Sequence, residues 1–280
     1  MRTKANHMLQ FNAFQIKIIA LITMTLDHIA AYQILSVNQA FNDGLRIIGR
    51  IAAPLFLFMV IEGLHHTHNK AKYICRLYFA GVIIEFVNRI IENATGAFEF
   101  GNTLPMLFYT SLFIFCIEHI TNNYRNIKAI CIAGCGVLIP FLFYALNVIL
   151  PRYGFGEIWY NISLFFPSPF KVDYSIAFIL MGISWYFINN KVIDCIILAI
   201  LSFFCFAIPE TCFFTISSVW FAPAVFNIVE VFLDTQWCMC LAIPFMLFYN
   251  GEKGHSLKYL FYLYYPIHVY LLFAIQYIRN

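Results

Sequence analysis

The sequence predicts an all-α fold, a polytopic bundle of about nine or ten membrane-spanning helices, on three observations. Of its 280 residues, 62% are hydrophobic and only 11% are charged, against about 25% charged in a typical soluble domain. Mean hydropathy is +0.77. The apolar residues fall into runs of about 20, the length of helix that crosses a hydrocarbon core ~30 Å thick. A chain this apolar has no surface to show to water, so it is an integral membrane protein. Net charge is +3, with no basic block standing alone, which excludes nucleic acid as a partner. The nine cysteines are scattered through apolar runs without CxxC or zinc-type spacing, so they read as packing residues and no metal site is expected.

Candidate spans lie at roughly 14–35, 46–64, 73–91, 104–120, 128–149, 174–189, 192–208, 213–232, 237–249 and 258–278. The first follows a positively charged segment and lacks a small-residue cleavage site, so it is expected to be a retained helix and not a removed signal. Prolines 54, 105, 140, 209, 223, 244 and 266 sit within or at the ends of spans, where neighbouring helices can satisfy the freed carbonyls. The ninth run is short enough to be re-entrant. No repeat, linker or soluble domain interrupts the pattern, so residues 1–280 read as one integral-membrane domain. The longest connection, 150–173, is rich in Pro, Gly and aromatics and suits an interfacial loop or a lid over a cavity.

Basic residues set the orientation. Arg2, Lys4 and Lys17 precede or open the first span, Lys70, Lys72 and Arg76 follow the second, and Arg125 and Lys128 follow the fourth. Both termini are therefore expected in the cytoplasm, with Lys253 and Lys258 as the exceptions. On that orientation His28 and Arg50 lie roughly 8–10 Å below the outer face. Glu62, His65, His66, Tyr73 and Arg76 gather at the cytoplasmic mouth, while Glu85, Arg89 and His268 come out near mid-depth.

A charge at the centre of a bilayer helix costs roughly 2.5–3.5 kcal/mol on insertion scales, so charges there mark sites. Asp27 and His28 lie inside the first run, Arg50 inside the second and Glu85 inside the third. Neighbours on a helix point about 100° apart, so Asp27 and His28 take separate partners. His28 is the best general base in the chain, because its ordinary pKa permits proton exchange at neutral pH. Asp27 needs a cation, and Arg46 and Arg50, spaced i, i+4, both qualify. Glu62, His65 and His66 form a polar helix edge that leads to Arg76, a mouth that suits the phosphates of a nucleotide-type cofactor. Glu85 and Arg89 are spaced to neutralise one another. His268 lies one turn from Tyr264 beside Tyr265 and Pro266, either as a packing residue or as a second titratable group at lipid depth.

Four blocks carry a family resemblance: KIIALITMTLDHIAAY (17–32), LRIIGRIAAPLFLFMVIEGLHHTHNKAKYICRL (45–77), FYNGEKG (248–254) and KYLFYLYYPIHVYLL (258–272). They contain a DH pair in the first helix, GR-x-A-x-P-x-F, EG-x-x-x-T-x-N-x-x-x-Y-x-x-R-L, YNG-x-x-G and FY-x-x-YP-x-H. In this the chain resembles the TraX family, membrane proteins typified by the conjugation protein needed to N-acetylate F-pilin. Ala53 departs from the bulkier residue more common before the proline, and the middle, 90–245, carries none of these blocks.

The resemblance implies a multi-pass acetyltransferase of the bacterial inner membrane that takes acetyl-CoA from the cytoplasm. Arg76, Tyr73, His65, His66 and Glu62 would meet the donor, and His28 with Asp27 and Arg50 would carry the chemistry. Arg46, Glu85, His268 and Tyr265 are further candidates. The implied acceptor is an amine or hydroxyl on a membrane or exported molecule, a pilin-like peptide N-terminus or alternatively a cell-surface glycan. The polar residues alone also allow a transporter or an assembly scaffold.

Overall fold

A computed structural model describes residues 10–35, 37–96, 101–170, 172–207, 235–255 and 258–279. Among them every regular element is helical: α1 (Ala13–Ala31), α2 (Gln39–Gly49), α3 (Ala52–His65), α4 (Lys70–Thr95), α5 (Leu104–Asn122), α6 (Ile127–Ile149), α7 (Gly156–Ser163), α8 (Ser175–Ile188), α9 (Lys191–Ala207), α10 (Ile243–Leu247) and α11 (Lys258–Arg279). The all-α expectation holds. Four stretches are long and apolar enough to cross a membrane: α1, α2 with α3, α5, and α6 with the turn after it.

Most expected spans match these helices within a few residues, with two differences. The run at 46–64 is broken at Arg50 and Ile51 into α2 and α3. Pro54 supplies the reason, since it has no N–H for the Arg50 carbonyl and its ring crowds that turn. The run at 237–249 is not one α-helix but a 3-10 segment (Gln236–Ala242) followed by the single short turn of α10. The expected span at 213–232 lies outside the described residues.

Two helices show how the surface meets lipid. On α4, Phe79, Ile83, Phe86 and Ile90 are all more than half exposed, and their spacing of three and four makes one apolar stripe. The opposite face buries Ile74, Leu77, Gly81, Ile84 and Asn88. On α11, Leu263, Ile267, Leu271 and Ile275 repeat the pattern outward, while His268, Val269 and Leu272 are buried. Outward stripes of this kind suit hydrocarbon, not water.

The chain forms two compact units, one from Met1–Met59 with Ile188–Asn280 and one from Val60–Phe187. In the first, the segment after α10 seats the start of α1. Phe11 N donates to Phe248 O (2.9 Å), Asn250 N to Phe11 O (2.9 Å) and Ala13 N to Glu252 O (2.8 Å). The YNG-x-x-G block makes this seat. Gly251 and Gly254 both have positive φ, and a Cβ on Gly254 would lie 2.6 Å from Asn12 Oδ1, the oxygen that caps α1. Lys191 also donates to the Tyr249 carbonyl at 2.7 Å. In the second unit, α4, α5 and α6 pack in sequence. Segment 150–173, expected as a loop, is a 3-10 turn (Leu150–Tyr153), the helix α7 and a turn that carries Asp173.

Candidate active site

The first unit builds its site on α1, α2 and α11. His28 Nδ1 lies 2.8 Å from His268 Nε2, and one turn away Thr25 Oγ1 meets Tyr264 OH at 2.7 Å. The spacing of three on α1 and four on α11 puts both contacts on one helix seam and so fixes its register. His268 is 5% exposed, with its ring stacked on Tyr264 at 5.0 Å and flanked by Tyr265 at 6.1 Å.

The hydrogen bonds assign the protons. His268 Nδ1 sits 2.8 Å from the Tyr264 carbonyl, which can only accept, so this nitrogen carries the hydrogen. Nε2 of neutral His268 then holds a lone pair and accepts from His28 Nδ1–H. His28 Nε2 is left unprotonated, with no hydrogen bond among the described residues. That pattern fixes His28 in one tautomer through a second imidazole.

Asp27, which the sequence offered to two arginines, pairs with Arg46 at 3.0 Å. Close approach of α1 and α2 makes this possible: a Cβ on Gly49 would lie 2.3 Å from the Asp27 Cβ. Arg50, 8% exposed, turns elsewhere and donates through Nε to Thr235 Oγ1 at 3.2 Å. Among the described residues, then, a buried guanidinium is hydrogen-bonded only by a neutral hydroxyl.

The mouth residues belong to the second unit and do not act as one cluster. His66 reaches Glu62 at 3.8 Å and is largely exposed. His65 instead stacks flat on Tyr186, with ring centres 4.2 Å apart, and its Nε2 is buried without a hydrogen-bond partner among the described residues. Arg76 donates through Nε to the Lys72 carbonyl (3.2 Å) and lies 5.9 Å from the Tyr73 ring. Its terminal nitrogens have no hydrogen bond among the described residues. Glu85 and Arg89 pair at 3.1 Å as their spacing suggested, and Arg89 also donates to the Tyr160 carbonyl and to Ser163 Oγ on α7.

One network is new. Lys70 Nζ donates to both oxygens of Glu118 (2.8 and 2.7 Å) and to Tyr186 OH. A lone carboxylate at the end of the apolar run 104–120 was the available signal for Glu118. Nothing in spacing could supply its partners.

Comparison with known proteins now has a place to attach. The TraX protein family profile matches residues 13–161, more than half of the chain. The chain belongs to the TraX family. The match runs well past residue 90, so part of the middle that lacked recognisable blocks is also TraX-like. The probable fimbrial assembly protein FimC, serogroup H1, of Dichelobacter nodosus is 27% identical over 274 residues, covering 94% of this chain and 95% of that one. At that coverage the similarity extends past residue 161, where the family match ends. No solved structure matches.

Proposed function

We propose that this TraX-family protein is a membrane acetyltransferase that moves an acetyl group from acetyl-CoA to an amine or hydroxyl of an exported acceptor. A pilin-like peptide N-terminus is the favoured acceptor, and a surface glycan is the alternative. The observation that carries the reading is the His28–His268 pair, with the free lone pair on His28 Nε2. Membership in the family and similarity to a probable fimbrial assembly protein support a pilin-related role.

In the proposed reaction the acceptor nitrogen attacks the thioester carbonyl as His28 Nε2 takes its proton. The imidazolium that results donates to His268 Nε2, a charge-assisted bond that favours the protonated state. The C–S bond then breaks, and the departing thiolate recovers the proton from His28 Nε2. The products are the N-acetylated acceptor and CoA thiol, and the base is regenerated. Arg50 is the buried cation suited to the negative charge that develops on the carbonyl oxygen. Asp27 is committed to Arg46 and holds α1 against α2. Arg76, with its terminal nitrogens free, is assigned to the donor's phosphates.

The test is acetyl-CoA binding and acetyl transfer by purified protein in nanodiscs. His28→Ala is expected to keep donor binding and lose turnover by roughly 100-fold or more. A well-folded wild type that binds no acetyl-CoA would remove the enzyme reading.

A further inference from the structure

The second unit encloses a cavity of about 650 Å³ between α4, α5, α7 and the turn at Asp173, within the size range of small-ligand sites. Its wall is mixed. Tyr78, Phe108, Trp159 and Phe166 give it a flat apolar side, and Glu85, Arg89, Glu92 and Asp173 bring charge.

The charges do not cancel. Arg89 is the one guanidinium on the wall, and it is already engaged by Glu85, by the Tyr160 carbonyl and by Ser163. It also lies over the Tyr160 ring at 4.2 Å. This arginine ties α4 to α7 and has little left to offer an anion. Among the described residues Glu92 is met only by the Tyr160 hydroxyl, at 3.5 Å. Asp173 accepts a backbone hydrogen bond from Asn102, and no cation among the described residues pairs with it. Gly101 leaves room for this carboxylate, since a Cβ there would stand 3.1 Å from Asp173 Oδ2. Asp173 thus faces the cavity without a cation partner among the described residues, across from an aromatic side formed by Tyr78, Phe108, Trp159 and Phe166.

We propose that this cavity binds a primary ammonium group, held by the Asp173 carboxylate, with an apolar or aromatic body lying along Trp159 and Phe108. The inference stands apart from acetyl transfer, and its test uses no acetyl-CoA. Burial and the like charge of Glu85 push the Asp173 carboxyl up to about 6, and Tyr78, Arg89, Glu92 and Tyr160 are the other charged or titratable groups on the cavity wall. An α-amino group loses its proton near pH 7.7–8.0, at about its ordinary value. The competent combination, carboxylate with ammonium, therefore exists between these two values and is lost on either side.

The probe is phenylalanyl-glycinamide, titrated calorimetrically into protein in phosphatidylglycerol nanodiscs, with its N-acetylated form as the uncharged control. The free amine is expected to bind at least ~10-fold more tightly than the acetylated form. Its affinity should peak near pH 7 and fall toward about pH 5 and about pH 9. Asp173→Asn should remove most of the difference between the two peptides. Equal affinity for both peptides by wild-type protein, which requires no variant to fold, overturns the proposal. Adding phosphatidylethanolamine to the nanodiscs identifies the source of the ammonium. Competition marks a lipid headgroup as the natural occupant, and its absence marks a soluble amine or peptide.

Discussion

Replacing His268 by alanine tests the proton assignment on which the proposed chemistry stands. The substitution removes the acceptor 2.8 Å from His28 Nδ1, and no other acceptor among the described residues replaces it. His28 is then free to move its proton between ring nitrogens, and its imidazolium loses a charge-assisted hydrogen bond. A bond to a charged group is worth ~1.5–3 kcal/mol. At about 1.4 kcal/mol per decade this is ~10–100-fold in kcat. KM for acetyl-CoA should change little, because His268 is 5% exposed and its contacts are to His28 and the tyrosines of α11. His268→Gln keeps an oxygen able to accept from Nδ1–H and should recover part of the loss. The assay is transfer of radiolabelled acetyl to a peptide with a free N-terminus, with folding checked by size exclusion. Wild-type kcat in His268→Ala, or a glutamine variant as impaired as the alanine variant, would refute the reasoning. A greater loss in His268→Ala than in His28→Ala would exchange the two roles.

Two further outcomes follow from the same geometry. Gly49→Ala places a methyl group 2.3 Å from the Asp27 Cβ, so α1 and α2 must separate at a cost of about 1–3 kcal/mol. The thermal midpoint in detergent should drop by several degrees, at roughly 2–4 °C per kcal/mol, and an unchanged midpoint would show that the helices approach less closely. Arg50→Ala and Arg76→Ala should separate kinetically. Loss of the buried cation is expected to lower kcat by ~100-fold or more with little change in KM, whereas loss of the phosphate contact raises KM and leaves kcat.

Much of the fold was legible because the membrane writes it in composition: apolar length alone placed α1, α5, α6 and α11. The break at Arg50 was written too, in Pro54, but a hydropathy run averages over a proline and reads one span. Of the site, the sequence could see only what lies within a helical turn. Glu85 with Arg89 and Glu62 with His66 were readable for that reason. Asp27 was left between two arginines, and spacing could not choose between them: the ion pair formed with Arg46, while Arg50 is hydrogen-bonded to Thr235, 185 residues away in sequence. His28 and His268 were each singled out, yet separation by 240 residues hides any pairing from periodicity. The same holds for Lys70 with Glu118 and Tyr186, whose separations are 48 and 116 residues. Asp173 gave no signal, since a carboxylate in a Pro- and aromatic-rich connection looks solvated until the turn around it closes.

The histidine pair also sets a timetable. At ~5–20 residues per second of synthesis, Arg46 follows Asp27 within about 1–4 s, but His268 follows His28 only after tens of seconds. Throughout that interval His28 has no partner on α11 to fix its tautomer. Val60–Phe187, one uninterrupted stretch of chain, can complete itself in the meantime. The proposed base thus stays unpaired until nearly the whole polypeptide has been made, so truncated products that stop before α11 are expected to insert without acquiring the paired imidazole.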